Sequence, residues 1–305
     1  MSNVVFSDYF NGVELTAAVN SAPNVPGVIA AQKQYEEKGV PTTRIAIEEK
    51  RGSLSVIQST PRGSSGETLK PGTRRIVELS TVCLSVRAAV TAAQVQDQRA
   101  FGGIDAETAE RVQKETGELI RSNLELTLEY QRAGAPKGLV KDADGSTLLD
   151  VYAEFAMTQQ TVPFNTVTAS TAIRVLDKIT AAERKSIDAL TGANATGFLA
   201  YCSRSFIDNL RNHDSYQKLL ETLRMEQART GAMFRIGRTD FLEVPNAGNI
   251  EFIPDGEAFL VPQGIPGLCI SRFAPADRLS EANQTGNPFS IKVEPMPFDR
   301  GVAIE

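Results

Sequence analysis

GVPTTRIAIEEKRGSLSVIQSTPRGSSGETLKPGTRRIVEL, residues 39–79, alternates at both ends and has almost nothing apolar between. Ile45 and Ile47 fall on one face of an extended chain, as do Leu54 and Val56. Gln58–Gly72 is glycine, serine, proline and charge, with little that a core could hold. TRRIVELSTVCLSVRAAV then resumes with valine, isoleucine, leucine and threonine, which predicts a returning strand. The whole predicts a long two-stranded ribbon with a polar tip. A two-stranded ribbon is marginal by itself in water. A tip with no core beneath it either moves freely or lies on another surface.

Upstream, residues 1–38 hold prolines and glycines among small apolar residues. That suits an arm lying on other surfaces and equally a disordered terminus. Downstream, residues 87–101 predict a short helical or irregular crossing, and Gly102-Gly103 breaks it. DAETAERVQKETGELIRSNLELTLEYQRAG then predicts a long helix from Asp105, its N-cap, to Ala133. Ala109, Val112, Thr116, Leu119, Ile120, Asn123 and Tyr130 recur at helical spacing. Glu107–Arg111, Glu110–Lys114 and Arg121–Glu125 are i, i+4 pairs on the other face. Gly134 and Pro136 are expected to stop it.

Strand, turn and strand follow in PKGLVKDADGSTLLDVYAEF, with Asp144-Gly145 as the turn. Residues 164–231 read as mostly helical. Residues 232–273 are β-rich, and NPFSIKVEPMPFDRGVAIE holds one or two last strands. The class is α+β, with helices and strands segregated.

Composition excludes several roles. The formal charge of −5 lacks the basic excess that gives non-specific nucleic-acid binding. Cys83, Cys202 and Cys269 are far apart, so neither a disulfide framework nor a zinc knuckle is indicated. The start has no signal-peptide pattern, and no apolar run nears the ~20 residues of a membrane span. His213, the one histidine, sits between Asn212 and Asp214 and reads as a solvated surface residue. Cys202, near Leu199, Phe206 and Leu210, reads as a buried helix thiol. DADGSTLLDVYAE places its glycine at the wrong position for a calcium loop. GSSG at 63–66 lies in a ribbon rather than between the helices of an RNA clamp. No phosphate-cradling loop occurs. Neither catalytic residues nor a cofactor or metal site is indicated, so a non-enzymatic role is expected.

The order of these parts resembles the lambda-type major capsid protein E family of tailed bacteriophages. The resemblance rests on GVPTTRIAIEEKRGSLSVIQSTPRGSSGETLKPGTRR leading into the charged helix. GAPKGLVKDADGSTLLDVYAEF, FRIGRTDFLEV and FIPDGEAFLVPQG add to it, and together these cover most of residues 35–275. It implies an α+β capsid fold of the Hong Kong 97 type. Its expected parts are an N-arm (1–38), an extended E-loop hairpin (39–86) and a P-domain with a long spine helix (87–164). An A-domain (165–275) and a C-terminal return to the P-domain (276–305) complete it. The resemblance also implies hexamers and pentamers of one chain tiling an icosahedral shell around double-stranded DNA, held without sequence-specific contacts and without a membrane. Portal and scaffold would be assembly partners, in host cytoplasm and then in the virion. Some relatives add a decoration protein, and others crosslink the shell; nothing in the sequence assigns either.

On this reading the tip 58–72 lies on a neighbouring subunit. Arg62, Glu67, Leu69, Arg74 and Arg75 are its candidate inter-subunit contacts. Gly39, Gly52, Gly72 and Gly102-Gly103 lie at the joints of a subunit that must fit both pentamers and hexamers. Two alternatives stand beside it: an encapsulin-like compartment shell, and an enzyme with an unrecognised carboxylate site.

Overall fold

The computed structural model describes residues 27–51, 73–95, 109–164, 174–190, 194–223, 233–297 and 300–305. The polar tip, the Asp105 cap and Arg62, Glu67 and Leu69 lie outside them, as do Gly52, Gly72, Gly102 and Gly103. In chain order come α1 (Val28–Ala31), β1 (Glu36–Gly39), β2 (Arg44–Arg51), β3 (Thr73–Ser80) and β4 (Ala88–Thr91). Next are α2 (Ala92–Val95), α3 (Ala109–Lys137), β5 (Leu139–Lys141), β6 (Thr147–Asp150), α4 (Val151–Phe155) and α5 (Val175–Ala189). Then follow β7 (Gly197–Cys202), α6 (Arg204–Asn212), α7 (Asp214–Leu223), β8 (Met233–Ile236) and β9 (Thr239–Glu243). The last strands are β10 (Ala258–Gln263), β11 (Ile270–Phe273), β12 (Val293–Pro295) and β13 (Gly301–Ile304). The chain divides into two units.

One unit holds Cys83–Thr127 and Phe289–Glu305. Strands β12, β13 and β4 form an antiparallel sheet in that order. Val90, Ile304 and Ile120 of α3 make its core, with Ala88, Val112 and Leu124 packed around them. The expected crossing at 87–101 thus begins as a strand. Leu119, expected on the inner face of the helix, is exposed instead, beside the buried Ile120. Arg121 pairs with Glu125 as expected; Arg111 also bonds Glu115 and Lys114 lies by Glu118, while Glu107 and the Glu110 side chain, the other expected partners, lie outside the described residues. Such exposed pairs contribute a few tenths of a kcal/mol each. A carboxylate at Val112 would enter the apolar cluster without a partner. Val112→Asp is therefore expected to cost about 2 kcal/mol or more. An unshifted melting curve would contradict the phase of the helix.

The other unit holds Pro26–Val82 and Leu128–Pro288. Its main sheet runs β10-β7-β9-β8, with β7 parallel to β9 and the other pairs antiparallel. All six residues of β7 are buried. Ala200, Cys202, Phe206, Ile207, Leu210, Tyr216, Phe234 and Phe241 share a core with Val175 and Ile179 of α5. Residues 164–231, expected to be mostly helical, therefore contain the central strand. A short continuous apolar run is ambiguous between buried strand and helix. The Ser203 hydroxyl ends the strand and caps α6, accepting from the Phe206 N–H at 3.3 Å.

α3 passes Gly134 and Pro136 and ends at Lys137, four residues beyond the expected stop. At ~1.5 Å per residue its 29 residues span about 43 Å. Proline has no N–H for the carbonyl four residues back, here Arg132. The Tyr35 hydroxyl supplies that donor, 2.6 Å from Arg132 O. Gly138, in the left-handed region at φ +76°, then turns the chain into β5. The β5–β6 hairpin is as expected, and its Gly145 also has positive φ, at +86°.

Residues 27–39 are anchored rather than loose. Glu129 of α3 is 2% exposed, and its Oε1 accepts from the Ile29 N–H at 2.6 Å while Oε2 accepts from Ala30. Burial, opposed by those N–H groups and Arg132, holds its carboxyl above the usual range. Arg132 pairs with Glu37 and lies over the Tyr35 ring. Gln34 accepts from the Tyr201 hydroxyl at 3.0 Å. β1 then runs parallel to β11.

Candidate assembly surface

β2 and β3 pair antiparallel over eight positions, from Arg44↔Ser80 to Arg51↔Thr73. Alternation gives this ribbon two faces. Ile45, Ile47, Val77 and Leu79 lie on the inner face, where Val77 is 4% exposed. Ala46, Glu48, Ile76 and Glu78 are on the outer face, where Ile76 is 59% exposed. Thr81 closes the root through its N–H and hydroxyl, both donated to Thr43 O. Arg75 is exposed and its Nη2 donates to the Glu154 carbonyl at 2.7 Å. Arg74 stands opposite Lys50 in the pairing.

The strand before the ribbon is held by close backbone contact. Val40 donates to Phe273 O and accepts from the Gly286 N–H at 3.1 Å. A Cβ on Gly39 would overlap Gly286 O. Gly39, expected at a joint, is a position of close approach, where glycine serves by lacking a side chain.

His213 and the three cysteines lie on segments other than β2 and β3. His213, expected in solvent, is buried. It follows α6, and its Nδ1 accepts from the Ser215 N–H while lying 3.0 Å from Ser215 Oγ. That hydroxyl in turn accepts from Val175 N–H at the start of α5. His213 therefore joins three helix ends. His213→Ala is expected to cost about 1–2 kcal/mol, through a lost hydrogen bond and packing, and to leave assembly intact. Failure to assemble at unchanged stability would mark a site of another kind. Cys202 is buried as expected, but on β7 rather than a helix, and burial pushes its thiol far up. Cys83 is exposed and Cys269 half-buried. Among the described residues, no group of three or more His, Cys, Asp or Glu could hold a metal ion, and no helix is long and apolar enough to cross a membrane.

A family model described as phage major capsid protein E matches residues 12–305. The chain belongs to that family. It is therefore a phage capsid protein, a subunit that associates with its own copies into a shell. Its α+β architecture is of the Hong Kong 97 capsid class. The capsid protein is 23% identical to the major capsid protein of Pseudomonas phage KPP10 over 302 residues, which cover 91% of this chain and 86% of the relative. It is 25% identical over 154 residues to the major capsid protein of Salmonella phage Felix O1 (isolate Felix O1-VT1), across 50% of this chain and 42% of that one. Among solved structures, the capsid asymmetric unit of cyanophage Pam1 aligns with a TM-score of 0.49 at 12% identity, covering 86% of this chain and 78% of that one.

Sequence reasoning found the ribbon through its alternation. It missed the partner of Arg75, a backbone carbonyl 79 residues away, which no local pattern signals.

Proposed function

We propose that this capsid protein tiles the icosahedral head of a tailed phage as hexamers and pentamers, with the β2–β3 ribbon reaching a neighbouring subunit. The observation that carries this reading is the ribbon itself, within a chain whose family match runs almost end to end. One face is apolar and partly buried at the root. The other presents Ile76 to solvent. Many such contacts made together hold a shell that no single one would hold.

In these terms residues 1–38 are the N-arm, 39–86 the E-loop and α3 the spine of the P-domain. Residues 165–275 form the A-domain, and 276–305 return to the P-domain. Arg62, Glu67, Leu69 and Arg74 are the candidate contacts of the ribbon. The role is structural, without catalysis. Assembly takes place in host cytoplasm with portal and scaffold, and the shell then holds double-stranded DNA in the virion. The charge of −5 is compatible with DNA that must slide past the wall during packaging. A decoration protein on the outer surface is a further partner class. Sedimentation and electron microscopy of the purified chain test the reading. Capsomers or closed shells are expected, and a species that stays monomeric at high concentration would contradict it.

A further inference from the structure

We infer that Arg75 is an intrachain latch, which fixes the direction of the ribbon before a neighbouring subunit is met. Arg75 shares the inner face of β3 with Val77 and Leu79, so it faces away from Ile76. Its guanidinium reaches the last turn of α4. The final carbonyls of a helix lack intrahelical partners and carry partial negative charge. At this end the left-handed Ala156 and the residue after it supply N–H groups to Tyr152 O and Ala153 O. Arg75 supplies a donor to the next carbonyl, that of Glu154.

The ribbon is thus held at two successive points on one face, by the buried Val77 and by Arg75. Two points fix a direction where one allows a swing. An element already held in its docking attitude loses less conformational freedom on binding. Arg75 is accordingly a positioning residue for assembly, and the neighbour is met by the opposite face. The latch rests on the proposed role of the ribbon only in its consequence for assembly.

Hydrogen exchange on the full chain, dissociated by dilution, tests it. Arg75→Ala is expected to speed exchange of the amides in 44–51 and 73–80 by about fivefold, the loss of one exposed charge-assisted bond. Glu154→Ala should leave exchange unchanged, because the acceptor is the backbone carbonyl. Arg75→Ala should also raise the concentration at which shells appear. Unchanged exchange in Arg75→Ala overturns the latch. If assembly weakens in that variant without faster exchange, Arg75 is an inter-subunit contact instead. Ile76→Asp separates the two ideas: it should keep exchange protection and lose shells, and normal shells from it would count against the ribbon's role while leaving the latch standing.

Discussion

Deletion of Ser59–Lys70 is expected to leave a subunit that folds and melts like the intact chain but does not close shells. The excised residues lie between the paired ends Arg51 and Thr73, and nine residues, 52–58 and 71–72, remain to join them. Shortening such a loop changes closure entropy by only about 1 kcal/mol. Leu69 is the one large apolar residue in the segment, so its sequence offers a core little. On the proposed role of the ribbon, loss of the segment falls on contacts between subunits, and because these are repeated at every copy the effect on assembly is multiplicative. Light scattering at concentrations where the intact chain forms shells would read the loss. Normal shells from the deletion would remove the ribbon from the account.

The second large effect is expected inside the subunit. Gly286 is buried, and a Cβ there would overlap the carbonyl group of Ala274 and the Phe273 oxygen. These are backbone atoms, which cannot turn aside as a side chain could. Gly286→Ala should cost about 3 kcal/mol or more, as overpacking against fixed atoms does. It should also loosen the Gly286–Val40 hydrogen bond that steadies the chain entering the ribbon. A urea midpoint equal to that of the parent would show that the 283–287 segment sits elsewhere.

These two sites differ in how far the sequence discloses them. The ribbon arms were legible because isoleucines two apart mark one face of a strand, and the β5–β6 hairpin because Asp-Gly marks its turn. Gly286 carries no such sign, since its neighbour Gly39 is remote in the chain. The same holds for α3. Gly134 and Pro136 are sound stop signals, and the helix overrides them because Tyr35 supplies the donor that Pro136 lacks. Glu129 looks like one more surface charge on a charged helix, yet it is buried against the first N–H groups of α1. His213 has polar neighbours in sequence and is nonetheless buried. β7 was hidden by its own uniform burial, which erases the alternation that identifies a strand. Local periodicity thus disclosed the elements and the candidate surface, while the contacts that join distant elements were not written in any one stretch.

The most direct measurement is an electron cryomicroscopy map of shells formed by the full chain, fine enough to trace residues 39–86. The map should show each ribbon leaving its own subunit beyond Arg75 and its tip resting on an adjacent copy. A map with closed shells in which every ribbon folds back onto its own subunit would contradict the account.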